Sequence, residues 1–122
     1  MLGPQNGSDI SYNWVFNQHT SSSGALYPDE GSAYSYWHHN VVTDIGKSEW
    51  LHLWTGSIHN ITVQGNYVDT NVSDNHGTNC PMIDNIVFPV GQPPAAAVAI
   101  MNASGVGTGN PYWAAAVAAG HA

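Results

Sequence analysis

The sequence predicts an all-β chain, a parallel β-helix of about three to four coils followed by a short C-terminal helix. Three observations carry this expectation: a six-residue pattern that recurs, the absence of amphipathic helical periodicity before Gln92, and a helix-forming run that begins at Pro93.

The pattern reads Ile10 to Val15, Trp37 to Val42, Val63 to Val68 and Met82 to Val87. Each copy has an apolar residue, an Asn three positions later and a Val two after that. Asn13, Asn40, Asn66 and Asn85 are 27, 26 and 19 residues apart, closer than a βαβ unit of about 30 residues or more. Strands therefore recur without helices, at the repeat scale of a β-solenoid. Equivalent residues of successive coils stack about 4.8 Å apart, so an Asn at a fixed corner would hydrogen-bond the Asn or the backbone above and below it. A ladder of carboxylates there would repel itself. Asn also tolerates the left-handed backbone that a tight corner requires, and the Val two residues on would point into a dry core.

A second unit precedes the Asn in two adjacent coils, as Ala25-Leu26-Tyr27-Pro28-Asp29-Glu30-Gly31-Ser32 and Trp50-Leu51-His52-Leu53-Trp54-Thr55-Gly56-Ser57, with the Gly-Ser endings in register. Each coil thus holds at least two strands joined by polar bends, and Ser21-Ser22-Ser23 reads as a polar connector. Residues 1–91 are expected to form the coils. From Gln92 the chain changes character: Pro93 and Pro94 suit a first helical turn, Ala95 to Ala103 a helix body and Gly105 a C-cap. Residues 92–106 are accordingly expected as a capping helix, since a solenoid must cover its open ends. Residues 107–122 form a Gly/Ala-rich tail whose large anchors are Tyr112 and Trp113.

Composition narrows the function. Eight acidic residues face one basic residue, Lys47, and the formal charge of -7 removes the cations on which nucleic-acid and anionic-membrane binding depends. No apolar run approaches the roughly 18 to 20 residues of a membrane span. Cys80 has no second cysteine to pair with and is expected as a small buried hydrophobe. Met1-Leu2-Gly3-Pro4 has no signal-peptide character, whereas the acceptor triplets at Asn6, Asn60, Asn71 and Asn102 fit a secreted, extracellular origin.

The run GALYPDEGS followed by an Asn-Val-Val strand, then WLHLWTGS, IHNITVQGNYV, GTN and PPAAAVAIMNASGV, resembles the C-terminal region of secreted right-handed parallel β-helix proteins of the pectate-lyase-like superfamily. The resemblance spans roughly residues 8 to 106. It implies a right-handed coil and an N-terminus truncated relative to a longer chain, whose remaining N-terminal coils would be a partner. It also implies a carbohydrate-active protein acting on a polysaccharide or oligosaccharide.

Strand alternation then selects the site. If Leu26, Pro28, Leu51 and Leu53 face inward, Tyr27, Asp29, His52 and Trp54 face outward, with Tyr27 beside His52 and Asp29 beside Trp54. Aromatic rings suit the C–H faces of a sugar, and charged groups suit its hydroxyls, so Tyr27 and Trp54 are the candidate substrate platforms. Asp29, Glu30 and His52 are the candidate catalytic residues, with Glu30 as the second carboxylate that glycoside hydrolysis uses. An ordinary solvent-facing strand accounts for the same pattern. Asp44, Asp69 and Asp74 read as turn-forming residues that follow strands or lie in bends, Glu49 begins a strand, and Asp84 sits beside the ladder. Of the seven histidines, His38 and His39 are strand neighbours that should diverge, and no zinc-type spacing appears, so neither a metal nor another cofactor is expected. With Lys47 alone as a base, an inverting hydrolase of a neutral glycan fits better than a lyase. A lyase whose base lies in missing coils, an adhesin- or tailspike-like glycan binder, and a structural end section inactive by itself remain the alternatives.

Overall fold

A computed structural model describes residues 4–19 and 24–104. The connector at Ser21 to Ser23, the C-cap Gly105 and the tail with Tyr112 and Trp113 lie outside the described residues.

Among the described residues the fold is mostly β, with parallel sheets and one short helix. Among the described residues eleven strands follow one another as β1 (Pro4–Ser11), β2 (Trp14–Phe16), β3 (Gly24–Leu26), β4 (Ala33–His38), β5 (Val41–Thr43), β6 (Glu49–Leu53), β7 (Thr62–Gln64), β8 (Tyr67–Val68), β9 (Ser73–Asn75), β10 (Met82–Ile83) and β11 (Ile86–Val87). Each of β1 to β8 pairs in parallel with the strand three places later, giving a first sheet β1-β4-β7-β10, a second β2-β5-β8-β11 and a third β3-β6-β9. This recurrence makes the fold solenoid-like. It has three strands per repeat, within the expectation of at least two.

The hexads lie across the corner between the first and second sheets. Ile10, Trp37, Val63 and Met82 share one register row, and Val15, Val42, Val68 and Val87 another. Trp37, Val42, Val63 and Val68 are buried in one core with Leu26, Leu51, Leu53, Ile58 and Ile61. Asn13, Asn40, Asn66 and Asn85 stand at the corner, and each side-chain oxygen accepts from the Asn one repeat earlier: Asn40 from Asn13, Asn66 from Asn40, and Asn85 from Asn66, all at 2.9 to 3.1 Å. The left-handed residue is not the Asn, as the sequence led us to expect, but its predecessor: Tyr12, His39, Gly65 and Asp84 have φ between 52° and 66°. The reversal falls there because the Asn backbone N–H and side-chain amide must both reach the same oxygen of the next repeat.

The helix α1 (Ala95–Ala103) starts after Pro94 and ends at Ser104. Its buried residues Ala97 and Ile100 pack on Val41, with Trp14 and Tyr67 beside them. These side chains point away from the Val42 and Val68 core, so the helix is seated on the flank of the second sheet. Met82, Ile83, Ile86 and Val87 of the last two strands are 38% to 53% exposed. Cys80 is buried, as a small hydrophobe would be. No helix among the described residues is long and apolar enough to cross a membrane.

Candidate functional site

The third sheet carries the sequence-derived candidates. Leu26, Pro28, Leu51 and Leu53 are buried, while Tyr27, Asp29 and His52 are half-buried and Trp54 is exposed. Leu26 pairs with Leu51 across β3 and β6, which sets Tyr27 over His52 and Asp29 over Trp54. The Tyr27 and His52 rings meet edge-on with centroids 4.9 Å apart. The Trp54 indole N–H donates to Asp29 Oδ1 at 3.4 Å. Burial, and after it the charges of Asp29 and Glu30, push the Tyr27 hydroxyl above its ordinary pKa of 10.0. At neutral pH this hydroxyl therefore stays a hydrogen-bond donor.

Asp29 and Glu30 do not share one role. Asp29 opens a turn closed by the Ser32 N–H donating to its carbonyl at 3.0 Å, with Gly31 at φ 73° as the turn requires. Its carboxylate Oδ1 also accepts the Glu30 backbone N–H at 2.8 Å. Asp29 is thus engaged with the turn and with the Trp54 indole. Glu30 sits exposed on the turn.

A second cluster lies on the same sheet and was not found from the sequence. His52 Nδ1 contacts Glu49 Oε2 in a short hydrogen bond and Asp74 Oδ2 at 3.3 Å, and the other Asp74 oxygen meets His76 Nε2 at 2.7 Å. Asp74 lies within β9 in register with His52, not in a bend as its turn-forming character suggested. The polar sequence Ser73–Asn75 forms a strand because β6 offers it a paired edge. Glu49 and His52 reach the same side although three residues apart, because Trp50 and Leu51 are both buried and interrupt the alternation. Gly24 lies under this group: a Cβ built on it would come within 2.7 Å of His52 Cβ, so β3 and β6 approach this closely through glycine.

The other histidines are arranged differently. His38 and His39, expected to diverge as strand neighbours, have their Nδ1 atoms 2.7 Å apart, since the left-handed backbone of His39 (φ 53°) cancels the alternation. His38 Nε2 pairs with Asp9 Oδ1 at 2.8 Å on its other side. Tyr36 stacks on His38 and Tyr12 on His39, with centroids 4.0 and 5.3 Å apart. Asp9 and His39 thus meet opposite edges of the His38 ring and do not converge on one point. Asp44 and Asp69 serve the bends, with Asp69 Oδ2 accepting the Asp44 N–H at 3.1 Å. Comparison with protein-family models, with curated proteins and with solved structures returns no match for this chain.

Proposed function

We propose that the chain is a section of a secreted right-handed parallel β-helix of the pectate-lyase-like kind, and that the outer face of its third sheet binds a neutral polysaccharide. One observation carries this reading: an exposed indole, Trp54, is steadied by the Asp29 carboxylate next to the Tyr27–His52 ring pair. A ring held in one orientation beside oriented donors and acceptors stacks on a sugar face at a small entropy cost. The formal charge of -7, with Lys47 as the one Lys or Arg, disfavours uronate polymers and favours neutral glycans. Within this reading Asp29 positions a platform ring and does not act as an acid.

Hydrolysis is a second reading, favoured by the two carboxylates of Glu49 and Asp74, which both meet His52 Nδ1. A pair of carboxylates is the usual equipment of glycoside cleavage. Here Glu49 and Asp74 would replace Asp29 and Glu30 as the pair.

The test is a titration of the chain with neutral and uronate oligosaccharides, followed by tryptophan fluorescence and, in parallel, by release of reducing ends. A neutral oligosaccharide should shift the emission, Trp54→Ala should weaken binding by at least about tenfold, and polygalacturonate should give no shift. Binding that survives both Trp54→Ala and Tyr27→Ala, or no binding across the panel, refutes the surface. Reducing ends that appear with the native chain and vanish in Asp74→Asn establish the hydrolase reading.

A further inference from the structure

We propose that Glu49, His52 and Asp74 form a binding site for one divalent transition-metal ion, with His76 positioning the Asp74 carboxylate. Among the described residues these three form the single group of His, Cys, Asp and Glu whose donor atoms all lie within 4.8 Å of one another. Zinc bound through nitrogen and oxygen at about 2.0 to 2.2 Å places neighbouring tetrahedral donors roughly 3.4 Å apart. The His52 Nδ1 to Asp74 Oδ2 separation of 3.3 Å already has this span. Glu49, at the start of β6 and more exposed than its two partners, has the freedom to step back from its hydrogen bond and admit an ion.

Charge points the same way. Two carboxylates face one imidazole, and the one Lys or Arg of the chain, Lys47, lies exposed in the Ile45–Ser48 turn. A divalent cation would neutralise the cluster. One imidazole nitrogen with two carboxylates suits zinc and its first-row neighbours better than calcium or magnesium, which prefer an all-oxygen shell.

The surroundings hold the donors in place before any ion arrives. Backbone pairing sets His52 beside Asp74, Gly24 lets β3 press against the His52 Cβ, and the Tyr27 ring bears on the imidazole edge. His76 takes the Asp74 oxygen that does not face His52, which turns the other oxygen inward. Outer hydrogen bonds of this kind orient metal-binding carboxylates. Three protein donors leave a position open to water or to an oxygen ligand.

This inference stands apart from the glycan reading, because its readout is metal content. The full chain is dialysed against buffered Zn²⁺, its metal is counted, and affinity is followed by calorimetry, with Co²⁺ as a visible probe. One ion per chain is expected, with an intense four-coordinate Co²⁺ absorption. His52→Ala and Asp74→Asn should abolish binding, His76→Ala should weaken it about 10- to 100-fold, and His38→Ala should leave it unchanged. Substoichiometric zinc, undiminished affinity in Asp74→Asn, or Ca²⁺ competing on equal terms overturns the site. Should His52→Ala fail to fold, imidazole NMR of the native chain decides: Zn²⁺ must perturb His52 Nδ1, and perturbation of His38 or His39 in its place refutes the proposal.

Discussion

Asn66 accepts, on one side-chain oxygen, both the backbone N–H and the side-chain N–H of Asn40, at 2.9 and 3.1 Å, across 26 residues of sequence. Its own side-chain nitrogen donates to the Trp37 carbonyl at 3.1 Å and to Asn85 Oδ1 at 2.9 Å. Both Asn40 and Asn66 are fully buried, so their own polar groups have no water as an alternative partner.

Asn66→Ala should therefore destabilise the chain by about 2 to 3 kcal/mol, since the Asn40 N–H and the Trp37 carbonyl lose buried partners. Asn13→Ala, at the exposed first rung, should lower stability by less. Urea unfolding of the two variants checks the order, and equal losses would refute a buried ladder.

The core of Leu51, Leu53 and Val63 is closed to solvent. Leu53→Ala should lower stability by about 2 to 5 kcal/mol through lost burial and a residual cavity. Val90→Ala, at a residue 76% exposed, should change it by less than about 0.5 kcal/mol. Thermal melts of both variants give the comparison.

Two glycines should fail for different reasons. Gly24→Ala meets His52 Cβ and should pry β3 from β6, lowering stability and moving the Tyr27 and His52 NMR signals together. Gly65→Ala has room for its methyl group, the nearest atoms of His39 being 3.5 Å away, and is penalised by the left-handed backbone at φ 66°. Its cost should be about 1 to 2 kcal/mol, with the third-sheet signals unmoved.

Asp9 gives the chain an acid-side pH dependence. The hydrogen bond from His38, with a further one from Ser11, holds its carboxyl below the ordinary 3.8. A carboxyl depressed in the folded state contributes stability above its unfolded pKa and loses it as pH falls through the folded value. Stability should thus fall below about pH 4, and Asp9→Asn should flatten that limb. Carboxyl NMR titration checks the premise, which fails if Asp9 titrates at 3.8 or above.

Burial raises the Cys80 thiol above 9.0, so at neutral pH it is protonated as well as shielded. It should react with a disulfide reagent far more slowly in the native chain than in urea. Equal rates would mean that the thiol is open to solvent.

The sequence was informative where one residue type repeats at one place. The Asn-x-Val hexads disclosed the stacked Asn corner and the inward Val row, and the alternation through Leu26, Pro28, Leu51 and Leu53 disclosed the Tyr27–His52 and Asp29–Trp54 contacts. It was silent where structure comes from pairing alone. Ser73–Asn75 has no strand-forming character, and its place beside β6 follows from the coil. Asp74 therefore read as a turn residue, and the Glu49–His52–Asp74 group stayed hidden, since it draws on two strands and on the break in alternation at Trp50 and Leu51. The left-handed turn at His39 misled in the same way.

The asparagine ladder also has a direction. From Asn13 through Asn85 every bond between rungs runs from donor to acceptor toward the C-terminus, so the side-chain carbonyls all face the preceding repeat. The two ends of the stack are chemically unlike. A two-fold contact through either end would set like groups against each other, while a head-to-tail contact would continue the pattern. A rung added to the stack is therefore specified by its side: next to Asn13 it must donate, and next to Asn85 it must accept.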